Sequence, residues 1–388
     1  MSTTAVRLDW ILDCSACGAT AEPSGLPTVC GACGQPWLVR YPERRLTLTD
    51  RAEIHRGQGM FRFRKFLPLA EDEAPVTLGE GDTPLLAIGR ASERLGFADL
   101  WLKDEGANPT GSFKSRGIAM AVTRAVRGGA EAFVVPTAGN AGVALAAYAA
   151  RAGVPARIYA PATTPATILA QIRGFGGDLE LLDGHIGDCG AAALEFARRT
   201  GAFPMATLRE PYRIEGKKTL GLELARELGW KLPDAIIYPA GGGTGLIGMW
   251  LAFKELASVG WVAGALPRLY AVQSTGCAPV VRAVATGADR CEPWADPWTV
   301  ASGLRVPAPL GGALMLRAIR DTGGGAVAVS DEDLMERARA VSMWEGVDVG
   351  PEGGAALAAA VTLREAGAIR ADERVVVFNT GAGWLYRG

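Results

Sequence analysis

The chain has 388 residues, with 40 basic and 41 acidic side chains and a formal charge of −1. That balance gives no whole-chain electrostatic grip on nucleic acid or anionic lipid, and 49% hydrophobic against 21% charged residues excludes a disordered chain. Its 51 glycines are nearly twice the usual share of about 7%, without a collagen period or low-complexity run to absorb them. The length suggests two or three domains.

Taken in chain order, the first ten residues, MSTTAVRLDW, carry an acid and no long apolar stretch. They read as neither a signal nor a transit peptide, so a soluble cytoplasmic protein is expected, with no membrane partner. Four of the seven cysteines follow as two pairs, Cys14/Cys17 and Cys30/Cys33, with twelve residues between the pairs. Each pair can aim two thiolates at one tetrahedral ion, which predicts a zinc-ribbon-like module over residues 1–42 with a structural Zn2+ and no open catalytic position. Between Cys14 and Cys33 there is no lysine or arginine, which argues against nucleic acid as its partner. Cys189, Cys277 and Cys291 lack such spacing and read as small apolar residues; His55 and His185 are isolated.

From about Leu100, short apolar runs alternate with alanine-rich helical segments. The runs LWLKDE, AFVVPTA, ARIYAP, DLELL, AIIYPAG, LYAVQ and RVVVFNTG predict strands, and 112–126, 141–152 and 244–258 predict helices. This alternation predicts an α/β fold of doubly wound, mostly parallel sheets. A larger domain is expected from 43–103 and 216–388, and a smaller one from 104–215.

Four strand ends carry chemistry. After LWLKDE, a Pro-Thr-Gly turn leads through Ser112, read as a helix cap, to Lys114 in the first helical turn. The helix dipole and burial would lower this amine's pKa and suit it to Schiff-base formation. The turn Thr137-Ala138-Gly139-Asn140 offers backbone amides for a carboxylate and an amide side chain. The run Gly241-Gly242-Gly243-Thr244-Gly245 makes a backbone cradle for phosphate, without the features of a nucleotide loop. At the last strand end, Thr380 can hydrogen-bond a heteroaromatic nitrogen while leaving it neutral. Together these fit one ligand, pyridoxal 5′-phosphate.

The chain resembles the threonine synthase family of fold type II, tryptophan-synthase-β-like pyridoxal phosphate enzymes. The stretches that carry the resemblance are Gly79 to Leu85, Asn108 to Lys114, Gly139-Asn140, Glu215 to Thr219, Gly241 to Gly245, Pro351-Glu352-Gly353 and Asn379-Thr380-Gly381. They span nearly all of the chain. The resemblance implies that Lys114 holds the cofactor and shuttles protons beside Phe113. It implies that Asn140 contacts the 3′-hydroxyl, Gly241, Gly242, Gly243, Thr244 and Gly245 the phosphate, and Thr380 the ring nitrogen. Thr137, Ala138 and Gly139 would hold the α-carboxylate of a small amino-acid substrate, with Lys103, Asn108, Ser112, Arg116 and Lys217 near the leaving phosphate. A homodimer is also implied.

Where relatives read Phe-Lys-Asp-Arg this chain has Ser115 after Lys114. Near its terminus, Gly381-Ala382-Gly383-Trp384-Leu385 replaces a segment that ends in lysine in relatives. The latter change fits either a substrate without the usual phosphate or a remodelled terminus. The expected activity is conversion of O-phosphohomoserine and water to threonine and phosphate. A β-replacement or β-elimination on O-phosphoserine, serine or threonine-like amino acids is the alternative within enzymes, as in cysteate synthase or threonine dehydratase. A regulatory binding protein on an enzyme scaffold is the alternative outside them.

Overall fold

A computed structural model describes residues 8–387. Residues 1–7, the first part of the expected ribbon module, and Gly388 lie outside the described residues. The strands in chain order are β1 Ile11–Cys14, β2 Thr20–Ala21, β3 Trp37–Arg40, β4 Leu85–Ala87, β5 Asp99–Asp104, β6 Phe133–Pro136, β7 Ala156–Pro161, β8 Asp178–Leu182, β9 Phe203–Pro204, β10 Ala235–Pro239, β11 Arg268–Ser274, β12 Gly325–Val329 and β13 Arg374–Asn379. They form three sheets. β2-β1-β3 is a small antiparallel ribbon, β12-β11-β10-β13-β5-β4 a six-stranded sheet, and β8-β7-β6-β9 a four-stranded one. Every pairing in the two larger sheets is parallel except β4 with β5.

The continuous apolar runs of β10 and β13 are explained by burial on both faces. Ile236, Tyr238, Val376 and Phe378 pack into one apolar cluster with Leu220, Phe253 and Leu316. Their neighbours Ala235, Ile237, Val375 and Val377 turn the other way, onto Leu334, Ala355 and Leu363. Side-chain alternation along each strand thus supplies two cores, one per face of the sheet. In the four-stranded sheet, Phe133 and Val135 face one cluster and Val134 faces another.

The ribbon is not a separate bead. Trp10, Leu12, Cys14, Cys30, Trp37 and Val39 belong to the same cluster as Ile118, Met120, Val122 and Tyr148. The guanidinium of Arg124 lies 4.8 Å from the Trp10 ring centroid. A Cβ at Gly128 would come within 2.4 Å of the Gly25 carbonyl oxygen, so the ribbon and the helix Lys114–Arg127 meet at backbone distance.

Candidate active site

A cavity of about 610 Å3 opens at the carboxyl ends of β6, β10 and β13, between the two larger sheets. Ligands in open parallel sheets bind at this edge, where strands hand over to helices. Of the residues expected to hold a cofactor, all reach its wall: Phe113, Lys114, Asn140, the run 241–245 and Thr380. The turn Thr137, Ala138 and Gly139 lines it as well.

Lys114 is the first residue of its helix, and Phe113 stands at the N-cap. Burial and then the nearby Arg213 act in the same direction, while Glu352 opposes them; the amine is pulled down to about 7. Such an amine is substantially neutral near physiological pH and therefore nucleophilic. Lys114 Nζ also lies 4.0 Å from the Phe113 ring centroid.

The glycine run turns β10 into the helix Thr244–Ser258. Gly243 adopts φ +75° at the N-cap, and a Cβ there would lie 2.2 Å from Met315 Sδ. A Cβ at Gly241 would lie 2.1 Å from the Gly303 carbonyl oxygen. The turn is thus closed to side chains, and the unpaired amides of the first helical turn face an anion-sized approach. At the opposite turn, the Thr137 hydroxyl accepts from the amides of Gly139 at 3.1 Å and Gly142 at 3.2 Å and donates to the Gly139 carbonyl at 2.9 Å. It shapes the turn, and the amides at the start of the helix Asn140–Ala152 remain to meet a carboxylate.

Among the described residues, three on the wall present buried polar atoms without protein partners: Asn140 Oδ1, Tyr238 Oη and Glu352 Oε2. Buried polar groups are almost always paired, so these atoms suit a polar ligand. With the amine, the glycine turn and the Thr380 hydroxyl, they fit pyridoxal phosphate.

The structure corrects five sequence expectations. Lys103, Asn108, Ser112, Arg116 and Lys217 do not line the cavity. Lys103 Nζ donates to the Thr83 carbonyl at 2.6 Å and to Glu223 and Glu227, each at 2.7 Å. Arg116, fully buried, binds Glu105 at 2.7 and 2.8 Å and Glu223 at 2.9 and 3.1 Å, with Thr83 and Thr219 taking further N–H groups. Asn108 donates to Glu105 and accepts from the Gly81 amide. Ser112 does not cap the helix; its Oγ is buried without a partner, and its backbone bridges to Gly381. Lys217 donates to the Phe113 carbonyl behind the wall, where burial and then the charges of Lys114 and Arg213 push its amine well down.

Wall residues that sequence reasoning passed over include Arg209, Ser302, Arg305, Glu352 and Tyr386. Glu352 lay inside a stretch that carried the resemblance and Tyr386 just past the departing segment 381–385, but a first-turn acid and a tyrosine near the end of the chain have ordinary structural readings. Trp384 does not line the cavity. It is 44% exposed and covers Gly111, whose Cβ would fall 2.8 Å from the indole Cζ2. The remodelled terminus instead carries Tyr386 to the wall.

In the ribbon, the four thiol sulfurs lie within 4.8 Å of one another, with Cys14 to Cys33 at 3.4 Å and Cys17 to Cys30 at 3.7 Å. All seven cysteines are free thiols. The amides of Ala16 and Cys17 point at Cys14 Sγ from 3.4 and 3.5 Å, an arrangement that stabilises a thiolate. An all-sulfur tetrahedral set of this kind fits zinc. Among the described residues, no helix is long and apolar enough to cross a membrane.

A cavity between two mostly parallel sheets, with one nucleophilic amine and an anion-binding turn on its wall, fits a class of protein, the pyridoxal phosphate-dependent enzymes. Comparison with known proteins leads to the same class and narrows it. The model of the family "pyridoxal-phosphate dependent enzyme" matches residues 76–381, and the chain belongs to the threonine synthase family within it. It is 32% identical to threonine synthase of Methanosarcina acetivorans, over 95% of this chain and 91% of that protein. With threonine synthase of Mycobacterium leprae it shares 36% identity over 83% of this chain and 86% of that protein. The solved structure of maize serine racemase has the same fold, with a TM-score of 0.68, 24% identity, and coverage of 78% of this chain and 88% of that one.

Proposed function

We propose that the chain is a threonine synthase, converting O-phosphohomoserine and water to threonine and phosphate by γ-elimination and β-addition. The observation that carries this reading is relatedness to threonine synthases over nearly the whole chain, together with Lys114 on the cavity wall. When bound, pyridoxal phosphate supplies an electron sink for the pair left on carbon as a C–H bond breaks. In this reading Lys114 holds the cofactor's aldehyde carbon and afterwards carries protons to and from substrate carbons. Phe113 fixes the amine's approach, the turn 241–245 takes the cofactor phosphate, Asn140 its 3′-oxygen and Thr380 its ring nitrogen. The turn Thr137–Asn140 orients the substrate through its α-carboxylate. With Lys103, Arg116 and Lys217 engaged elsewhere, Arg209 and Arg305 are the cationic wall residues available to an anionic leaving group.

A second reading is β-elimination or β-replacement on O-phosphoserine, serine or a threonine-like amino acid. It is favoured by the terminal segment, which brings a phenol rather than a cation to the cavity. Supplying O-phosphohomoserine to the cofactor-loaded enzyme and quantifying phosphate and threonine separates the two. Equal amounts of both are expected; no phosphate release, with ammonia and a 2-oxo acid formed from serine or threonine, favours the second.

The ribbon in this reading holds one structural zinc. Elemental analysis is expected to return about one zinc per chain, bound by Cys14, Cys17, Cys30 and Cys33. Stripping the metal, or Cys17→Ser, should lower the melting temperature and expose Trp10 and Trp37 fluorescence to solvent, because metal binding and folding of so small a module are coupled. Unchanged melting after complete metal removal would refute this.

A further inference from the structure

We propose that Glu352 is a second proton-transfer residue of the reaction, taking the proton from the water added at Cβ, and that Tyr386 is its positioning residue. This rests on the threonine synthase reading above. Glu352 is the second residue of the helix Pro351–Glu365 and, among the described residues, the only acid on the cavity wall. Although first-turn acids usually face solvent, this one is 3% exposed. Its Oε1 accepts from the Gly303 amide at 2.8 Å, which fixes the carboxyl, while Oε2 is buried and unpartnered. A Cβ at Gly303 would come 2.7 Å from Oε1, so only glycine admits the carboxyl here.

Tyr386 stands beside this carboxyl, with Ser302 also within reach of its hydroxyl. The hydroxyl accepts from Asn140 Nδ2 at 3.2 Å, so its own proton is free for donation. The short turn Gly383–Tyr386 is anchored by Asp348, which accepts from the Trp384 amide at 2.9 Å and pairs with Arg387. The charged or titratable groups facing Glu352 are Lys114 and Tyr386; Lys114 in turn faces Arg213 and Lys217. Burial pushes the Glu352 carboxyl up, and the amides of Glu352 and Gly303, the Tyr386 hydroxyl and Lys114 draw it back.

A second group on the wall divides the proton transfers. As the water oxygen forms its bond to Cβ, the π pair at that carbon moves into the conjugated system running through Cα. The water O–H bond breaks and its proton passes to Glu352 Oε2, which later releases it to solvent. Lys114 is thereby left to return a proton to carbon, and one nitrogen does not have to serve both transfers.

The test uses cofactor-loaded wild type, Glu352→Gln and Tyr386→Phe with O-phosphohomoserine. In Glu352→Gln the ratio of threonine to released phosphate should fall roughly a hundredfold, with 2-oxobutanoate and ammonia appearing in place of threonine. Exchange of the substrate Cα proton in D2O, the task of Lys114, should persist. Without substrate, the cofactor absorption band of Glu352→Gln should titrate at lower pH, since a negative charge near the amine is gone. Tyr386→Phe should move the acid limb of threonine formation to higher pH, because the carboxyl loses the neighbouring hydroxyl that draws it down. A wild-type ratio in Glu352→Gln, or loss of Cα exchange in step with threonine formation, overturns the inference alone. A wild-type enzyme that forms no threonine overturns the reading beneath it.

Discussion

Lys114→Ala should reduce turnover by at least about 10³-fold and abolish the covalent attachment of the cofactor, leaving protein that binds pyridoxal phosphate only reversibly. The argument is local. Among the described residues no other wall residue carries an amine, and Lys217 is tied to the Phe113 carbonyl behind the wall. Borohydride reduction followed by mass spectrometry of the peptide containing residue 114 would check it; a reduced adduct elsewhere in the Ala variant would refute the assignment. The amine's position near 7 adds a pH dependence. In cofactor-free protein, reactivity of Lys114 toward an aldehyde should rise through about pH 7, as the ammonium loses its proton, where an exposed lysine would rise only above pH 10.

Arg116→Met should destabilise the enzyme by about 3–5 kcal/mol, measured by chemical denaturation, because removing one partner of a buried ion pair strands the other. Burial works against ionisation of Glu223, yet Arg116 and Lys103 hold its carboxyl well below the usual range. Without Arg116, Glu105 and Glu223 would face each other in the interior with Lys103 as the remaining cation of the group. These residues join the helix that begins at Lys114, the end of β5 and the helix Tyr212–Glu227. A phosphate-contacting Arg116 would behave differently, raising KM for O-phosphohomoserine while leaving stability near wild type. That outcome would restore the expectation the structure corrects.

Strand ends were legible because their signals are local. The runs at β5, β6, β7, β8, β10, β11 and β13 are apolar and bounded by turn residues, and the glycine run, the Asn140 turn and Lys114 each follow one directly. Short strands were not legible: β4 has three residues, β9 two, and β12 reads Gly-Ala-Val-Ala-Val, too small and too brief to stand out. Lys103 and Arg116 misled for a physical reason. Cations at a strand end and in a first helical turn look like site charges until Glu223, more than a hundred residues away in sequence, is seen between them. Glu352 was hidden by the opposite effect, since an acid in a first helical turn already has a sufficient explanation in the dipole. The remodelled terminus was noticed through Trp384, whereas Tyr386, two residues further on, is the one that reaches the cavity.

The shared core of the ribbon and the helix Lys114–Arg127 has a consequence for biosynthesis of the chain. Trp10, Leu12 and Trp37 emerge from the ribosome long before Ile118, Val122 and Tyr148, which complete the same apolar cluster. During that interval the thiol cluster is what can hold the ribbon together, since a module this small has too little core of its own. In the proposed reading, in which the four thiols hold zinc, metal supply during translation would set how often the apolar face waits in a folded ribbon rather than in an open chain prone to aggregation. The helix bearing Lys114, arriving later, would find its docking surface already in place.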